Sequence, residues 1–166
     1  MNINVDNIPA ETRWAMSTKG LVGALVAYKN ALYNVAGEEK YGEILNQIWT
    51  QIGQASAEMV KSFGMTGDDA KSAAEASAMF CICAMGPEYK IEEIEASEDK
   101  AVMKVTECPW WNRMNEFGIS DDLLTAGDDA FWEGFMTGLN PNITFKHGPR
   151  MHLGGSHCEW IFEAKK

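Results

Sequence analysis

The sequence predicts an α+β fold: a helical N-terminal half of three helices packed on an antiparallel β-sheet of two hairpins, with a fourth helix between the hairpins. Three observations carry this expectation. Apolar residues recur every three or four positions from Trp14 to Met85, which is the helical period. Gly86-Pro87 then breaks that period, and alternation in steps of two takes over in 100–107 and again from Ile143. Between the two alternating regions, Phe131, Trp132, Phe135, Met136 and Leu139 return to helical spacing. At 166 residues the chain reads as a single α+β domain, 1–166, long enough to bury its own core. Residues 1–86 form its helical part, and residues 87–166 form the sheet part that carries the candidate site.

Each element has a local reason. Pro9 suits a first helical turn, with Asn7 placed to cap it. Trp14, Leu21, Leu25, Tyr28, Leu32 and Val35 make one face of a long first helix, and Gly37 stops it. The second helix follows at once through Tyr41, Ile44, Leu45, Ile48, Ile52, Ala55, Met59 and Phe63 to Gly64. So short a connection predicts an antiparallel pair. Thr66 or Asp68 caps a third helix from Asp69 to about Met85, whose Ala and Ser face permits close approach. Tyr89 to Ala96 and Lys100 to Glu107 read as strands joined by Ser97-Glu98-Asp99, with a bulge implied by the three-residue step from Ile91 to Ile94. Asn112 to Gly118 reads as a connector. Ser120, Asp121 and Asp122 open the fourth helix, acidic where the helix dipole favours it, and Asn140-Pro141-Asn142 ends it. Ile143 to His147 is a third strand, resumed from Arg150 to Leu153 after Gly148-Pro149. Gly154-Gly155-Ser156 turns into the last strand, where Cys158, Trp160 and Phe162 face one way.

Composition narrows the function. Hydrophobic content of 46% and charged content of 23% are those of a globular protein. A net charge of −10 without a Lys/Arg cluster excludes nucleic acid and anionic membrane surfaces as partners. No apolar run approaches the ~20 residues a membrane span needs, and Met1 to Asn7 shows no basic-then-apolar leader. A soluble, cytoplasmic protein is expected. Its four cysteines, Cys81, Cys83, Cys108 and Cys158, then read as free thiols or ligands rather than disulfides. Ten Met and six Trp supply adaptable and aromatic lining for a small-molecule pocket. A homo-oligomer is left open.

The candidate chemistry lies in two stretches. In Thr106-Glu107-Cys108-Pro109-Trp110-Trp111 a strand ends on a thiol beside two large rings, because proline cannot continue the ladder. In Met151-His152-Leu153-Gly154-Gly155-Ser156-His157-Cys158-Glu159-Trp160 a second thiol sits at a strand start. If their strands are neighbours, Cys108 and Cys158 reach one pocket as nucleophile or metal ligands; otherwise they are small buried hydrophobes. With His157, and with His147 and His152 close in sequence, the two thiols would suit zinc or iron. Cys81 and Cys83, two apart on a helix, do not face each other and read as packing. Glu107, Asp128, Asp129 and Glu133 are candidate acid/base groups, with Asp129, Trp132 and Glu133 on one helical face. Trp110, Trp111, Trp132 and Trp160 would wall a cavity for a flat or cyclic ligand.

Cys108-Pro109, Asp129, Asn140-Pro141, Arg150 and Gly155…Cys158, spread over roughly Tyr89 to Phe162, together resemble the L-2-amino-thiazoline-4-carboxylate hydrolase family. That family is distantly similar to the 4-vinyl reductase domains. The resemblance implies a hydrolase that opens a small cyclic C=N substrate by adding water, or, as in the related domains, a non-catalytic small-molecule or metal-binding sensor or carrier. It implies Cys108, Asp129 and Cys158 as the catalytic group, with Asp129 as base or orienting residue. Arg150 would pair with a substrate carboxylate through two parallel hydrogen bonds. Trp110, Trp111, Trp132 and Trp160 would hold the ring, and Cys108, His157 and Cys158 would be the metal ligands if a divalent metal is used.

Overall fold

The computed structural model describes residues 5–119 and 122–166 of the chain. Three helices open it: α1 (Ala10–Ala36), α2 (Glu38–Ser62) and α3 (Ala70–Met85). Strands β1 (Lys90–Ala96) and β2 (Lys100–Glu107) follow, then α4 (Pro109–Glu116), α5 (Asp122–Leu139), β3 (Ile143–His147) and β4 (Cys158–Ala164). The sheet is antiparallel throughout, in the order β1-β2-β4-β3. The α+β class and the two hairpins are as the sequence predicts, and the implied bulge is present as a register shift between Glu93 and Glu95. The expected cap at Ser120 and Asp121 lies outside the described residues.

The core forms where α3 and α5 cover one face of the sheet. Phe135, Phe162 and Val105 are fully buried there, with Trp132 and Trp160 close behind. The predicted inward alternation of β4 therefore holds for Trp160 and Phe162. α3 is anchored by a reciprocal cap: the Asp69 carboxylate accepts from the Ser72 N–H at 2.7 Å, and the Ser72 hydroxyl accepts from the Asp69 N–H at 3.0 Å. The cap is Asp69 itself rather than the predicted Thr66 or Asp68.

Three further expectations are corrected. There is a fifth helix, α4, where a connector was expected. Cys108 has extended backbone (φ −128°, ψ 107°), its Sγ accepts the Trp111 N–H at 3.4 Å, and Pro109 follows at the first helical position. The proline that ends β2 therefore starts α4, because its missing N–H would have no helical partner there. The segment expected as a resumed strand, Arg150 to Leu153, is a 3₁₀ turn over Met151–Leu153, closed by the Gly155 N–H donating to the Arg150 carbonyl at 2.9 Å.

The third correction concerns α2, whose principal partner is α5 rather than α1. Glycines make this crossing possible: a Cβ added at Gly53 would lie 2.1 Å from the Phe131 carbonyl oxygen, and one at Gly134 would lie 2.2 Å from that of Thr50. With α2 taken up by α5, α1 is left with much of its apolar face outside the core. Tyr28 is 76% exposed and Val35 is 88% exposed.

Candidate functional site

The ladder between β2 and β4 aligns Val105 with Cys158. Because the strands are direct neighbours, the end of β2 and the start of β4 lie side by side. Cys108 and Cys158 consequently line one cavity of about 300 Å³. Its other walls come from every layer of the fold: Phe80 and Cys81 on α3, Tyr89 ahead of β1, and Trp110 and Trp111 on α4. Asp128, Phe131 and Trp132 come from α5, His147 from the end of β3, and Arg150 and His152 from the β3–β4 connection.

Aromatic contacts stiffen the enclosure. Trp132 stacks on Phe145 with ring centroids 4.6 Å apart and lies 5.1 Å from Trp160, while Trp49 meets Trp110 edge-on at 5.6 Å. All five residues expected to hold a substrate, Trp110, Trp111, Trp132, Arg150 and Trp160, border this cavity.

The thiols are held in their neutral form. Burial pushes the Cys108 thiol up to about 11, with the nearby Cys158 and Asp128 adding to the rise. Tyr89, whose hydroxyl shares a 3.3 Å hydrogen bond with Cys108 Sγ, and the Trp111 N–H pull the other way without overcoming it. Cys158 is raised by burial too, against the Met151 N–H that donates to its Sγ at 3.2 Å and the nearby Arg150. Burial likewise raises Cys81 and the Tyr89 hydroxyl well above their ordinary values. A thiol in such surroundings is a proton donor at neutral pH and a poor nucleophile until a base relieves it of its proton.

The polar corner of the cavity is built by α5 and the end of β3. His147 Nε2 lies 3.0 Å from Asp128 Oδ2, in poor hydrogen-bonding alignment, and its side chain is only 5% exposed. Arg150 Nη2 donates to Asp129 Oδ1 at 2.5 Å, whereas its buried Nη1 has no hydrogen-bond partner among the described residues. Asp129 does not border the cavity. With Trp132 and Glu133, which share its helical face as expected, it lines an adjoining recess of about 560 Å³, and its side chain is half exposed.

His157 is not on the cavity wall either. Its Nδ1 is 3.0 Å from the Ser156 hydroxyl, and its Nε2 is 3.1 Å from Glu159. Among the described residues, no group of three or more His, Cys, Asp or Glu side chains is placed to hold a metal ion. The donor set expected for a metal, Cys108, His157 and Cys158, is thus split between the cavity and the outer edge of the turn. Glu107 pairs with Lys90 at the surface, and Cys83 is exposed.

Sequence reasoning passed over Cys81, read as packing, and Tyr89. It placed Asp128 only among several carboxylates. A signal for Cys81 existed, since it shares the predicted buried face of α3 with Ala70, Ala73, Ala74 and Ser77.

The comparisons with known proteins agree with this architecture. A family model described as L-2-amino-thiazoline-4-carboxylic acid hydrolase matches residues 18–162, which includes most of the helical half. Among solved structures, the phenol-responsive sensory domain of the transcription activator PoxR with phenol is similar at 14% identity and a TM-score of 0.55. The match covers 89% of this chain and 74% of that one. Trafficking protein particle complex subunit 3 from Naegleria fowleri, covalently bound to palmitic acid, is similar at 14% identity and a TM-score of 0.53, covering 92% and 93%. At such identities the likeness is one of fold. No curated protein matches. No helix among the described residues is long and apolar enough to cross a membrane.

Proposed function

The chain belongs to the L-2-amino-thiazoline-4-carboxylic acid hydrolase family, and from that premise we propose that it opens a small cyclic C=N compound of the thiazoline or amidine type by adding water. The observation that carries this reading is the convergence of His147, Asp128, Arg150 and two protonated thiols on one aromatic-walled cavity.

The roles follow from the chemistry of each group. Arg150 takes the substrate carboxylate on its free Nη1, and Asp129 acts as the orienting residue by holding Nη2. Trp110, Trp111, Trp132 and Trp160 flank the ring and exclude bulk water, which strengthens the electrostatic contacts within. The His147–Asp128 pair receives a proton from the attacking water as its oxygen bonds to the C=N carbon. Cys108, protonated at neutral pH, gives a proton to the ring nitrogen, and Cys158 supports the same edge. One ring bond to that carbon then breaks as the added hydroxyl becomes a carbonyl, its heteroatom leaves with the second proton of the water, and the proton held by the His147–Asp128 pair returns to the Cys108 thiolate. Were Cys108 instead the nucleophile, its proton would first have to pass to the same pair.

A second reading is a sensor or carrier that binds such a compound without turning it over. The apolar walls and neutral thiols favour it, as does the fold shared with a sensory domain described as phenol-responsive. The two separate in one experiment: incubating the protein with L-2-amino-thiazoline-4-carboxylate in isotopically labelled water and following products by mass spectrometry. Hydrolysis gives one labelled oxygen in an opened product, lost in His147→Gln. Saturable binding with unchanged compound sinks the hydrolase reading and supports the sensor.

A further inference from the structure

The cavity does not end at its aromatic walls. On the helical side it adjoins a second hollow of about 180 Å³ between α1 and α2, and the two share Leu25, Trp49, Ile52, Trp110 and Asp128 as lining. The rest of this cleft is largely apolar, formed by Val26, Leu32, Ile44, Leu45, Ile48 and Ile119, with Lys29 as its one cation among the described residues. On the sheet side the cavity shares Trp132, His147 and Arg150 with the more polar recess that holds Asp129. The site therefore has a polar flank at Arg150, with a buried unpartnered donor, and an apolar flank where Leu25 and Ile52 border both hollows.

We propose that the ligand is an amphipathic carboxylate: a ring carboxylate bearing an alkyl or aryl substituent that reaches the α1–α2 cleft along Leu25 and Ile52, which line both hollows beside the Trp49–Trp110 contact. The inference rests on the reading of Arg150 as the carboxylate anchor. The chemistry of each end dictates the direction. In the cleft a carboxylate would meet only the partly solvated Lys29 among aliphatic side chains, whereas an apolar group at Arg150 would leave its buried Nη1 without a partner. A bare ring can satisfy Arg150 but leaves Ile44, Leu45 and Ile48 unused. Ile48 is 45% exposed, so the cleft wall is open to substitution without disturbing the core.

The test is a chain-length series read by binding rather than turnover. Dissociation constants are measured by tryptophan fluorescence for 2-amino-thiazoline-4-carboxylate, for the same ring with lengthening n-alkyl groups at its carbon next to sulfur, and for plain n-alkyl carboxylates. Affinity is expected to rise roughly fourfold per added methylene until the cleft is filled. Ile48→Asp should abolish that rise while leaving the bare ring's affinity unchanged. Affinity that is flat or falls with chain length, an equal effect of Ile48→Asp on short and long ligands, or no binding by any series would overturn the proposal. Turnover of the bare ring without a chain-length effect overturns this inference alone. A chain-length effect without turnover overturns hydrolysis alone.

Discussion

His147 Nε2 stands 3.0 Å from Asp128 Oδ2, joining the last residue of β3 to the second turn of α5 at the polar corner of the cavity. The neighbouring Asp129 lies 3.7 Å from the same nitrogen but is half exposed and engaged by Arg150. Two adjacent carboxylates thus have different surroundings, and different roles follow. In the proposed reaction, His147→Gln and Asp128→Asn should each lower kcat by at least about 100-fold with little change in ligand affinity. Steady-state kinetics beside fluorescence titration checks this, and near-normal kcat in both variants would remove the pair from the mechanism.

Arg150 should behave as a binding residue. Its planar fork serves Asp129 with one nitrogen and keeps the other buried without a partner, a geometry that a lysine ammonium cannot reproduce. Arg150→Lys is expected to raise KM about 10- to 100-fold, the worth of a hydrogen bond to a charged group. Asp129→Asn, which loosens the fork without removing it, should raise KM less. A loss confined to kcat in Arg150→Lys would contradict the assignment.

The cavity thiols predict a pH dependence of stability. In the native protein the Cys108 thiol keeps its proton up to about pH 11, whereas the ordinary value is 9.0. Between those two values the unfolded chain binds fewer protons than the native one, so raising the pH favours unfolding. The stabilisation is complete below about pH 9 and lost on passing about pH 11, on the order of 2 kcal/mol for this group. Cys81 and Cys158, raised in the same direction, add to the slope. Denaturant unfolding at about pH 8 and about pH 10 should show the loss, and Cys108→Ala should reduce it. In the folded protein at neutral pH, an alkylating reagent should modify the exposed Cys83 well before the other three.

Much of this arrangement was legible in the residues. Alternation placed Trp160 and Phe162 inward, and the Cys-Pro and Gly-Gly breaks marked both strand ends that frame the cavity. What was hidden is long-range. Whether Cys108 and Cys158 share a cavity depends on β2 lying next to β4, and strand order leaves no local trace. The choice of Asp128 over Asp129 depends on the rotation of α5 against β3, a difference of one residue that periodicity does not resolve. Pro109 carried two meanings, strand end and helix start, and only the first was read because the Cys108 cap is a sulfur rather than a hydroxyl or carboxylate. The partner of α2 was missed for a related reason. Chain proximity favoured α1, while the glycines that decide the contact sit 81 positions apart, at 53 and 134.

Those glycines give the last prediction. Glycine inside a helix normally costs stability relative to alanine, by roughly 0.5–1 kcal/mol, so Gly→Ala in a helix should stabilise wherever there is room. Gly42 in α2 is such a place, with nothing within 4 Å of an added Cβ. Gly134 is the opposite case. Its added Cβ would stand 2.2 Å from the Thr50 carbonyl oxygen, and backbone on both sides leaves no flexible side chain to give way. The α2–α5 crossing would have to open, taking with it the α5 turn that carries Asp128, Phe131 and Trp132 into the cavity. Gly42→Ala is therefore expected to raise unfolding stability by about 0.5–1 kcal/mol, and Gly134→Ala to lower it by about 3 kcal/mol. Thermal and denaturant unfolding of the two variants side by side decides the matter, since equal small effects would mean that α2 and α5 do not cross as closely as these contacts require.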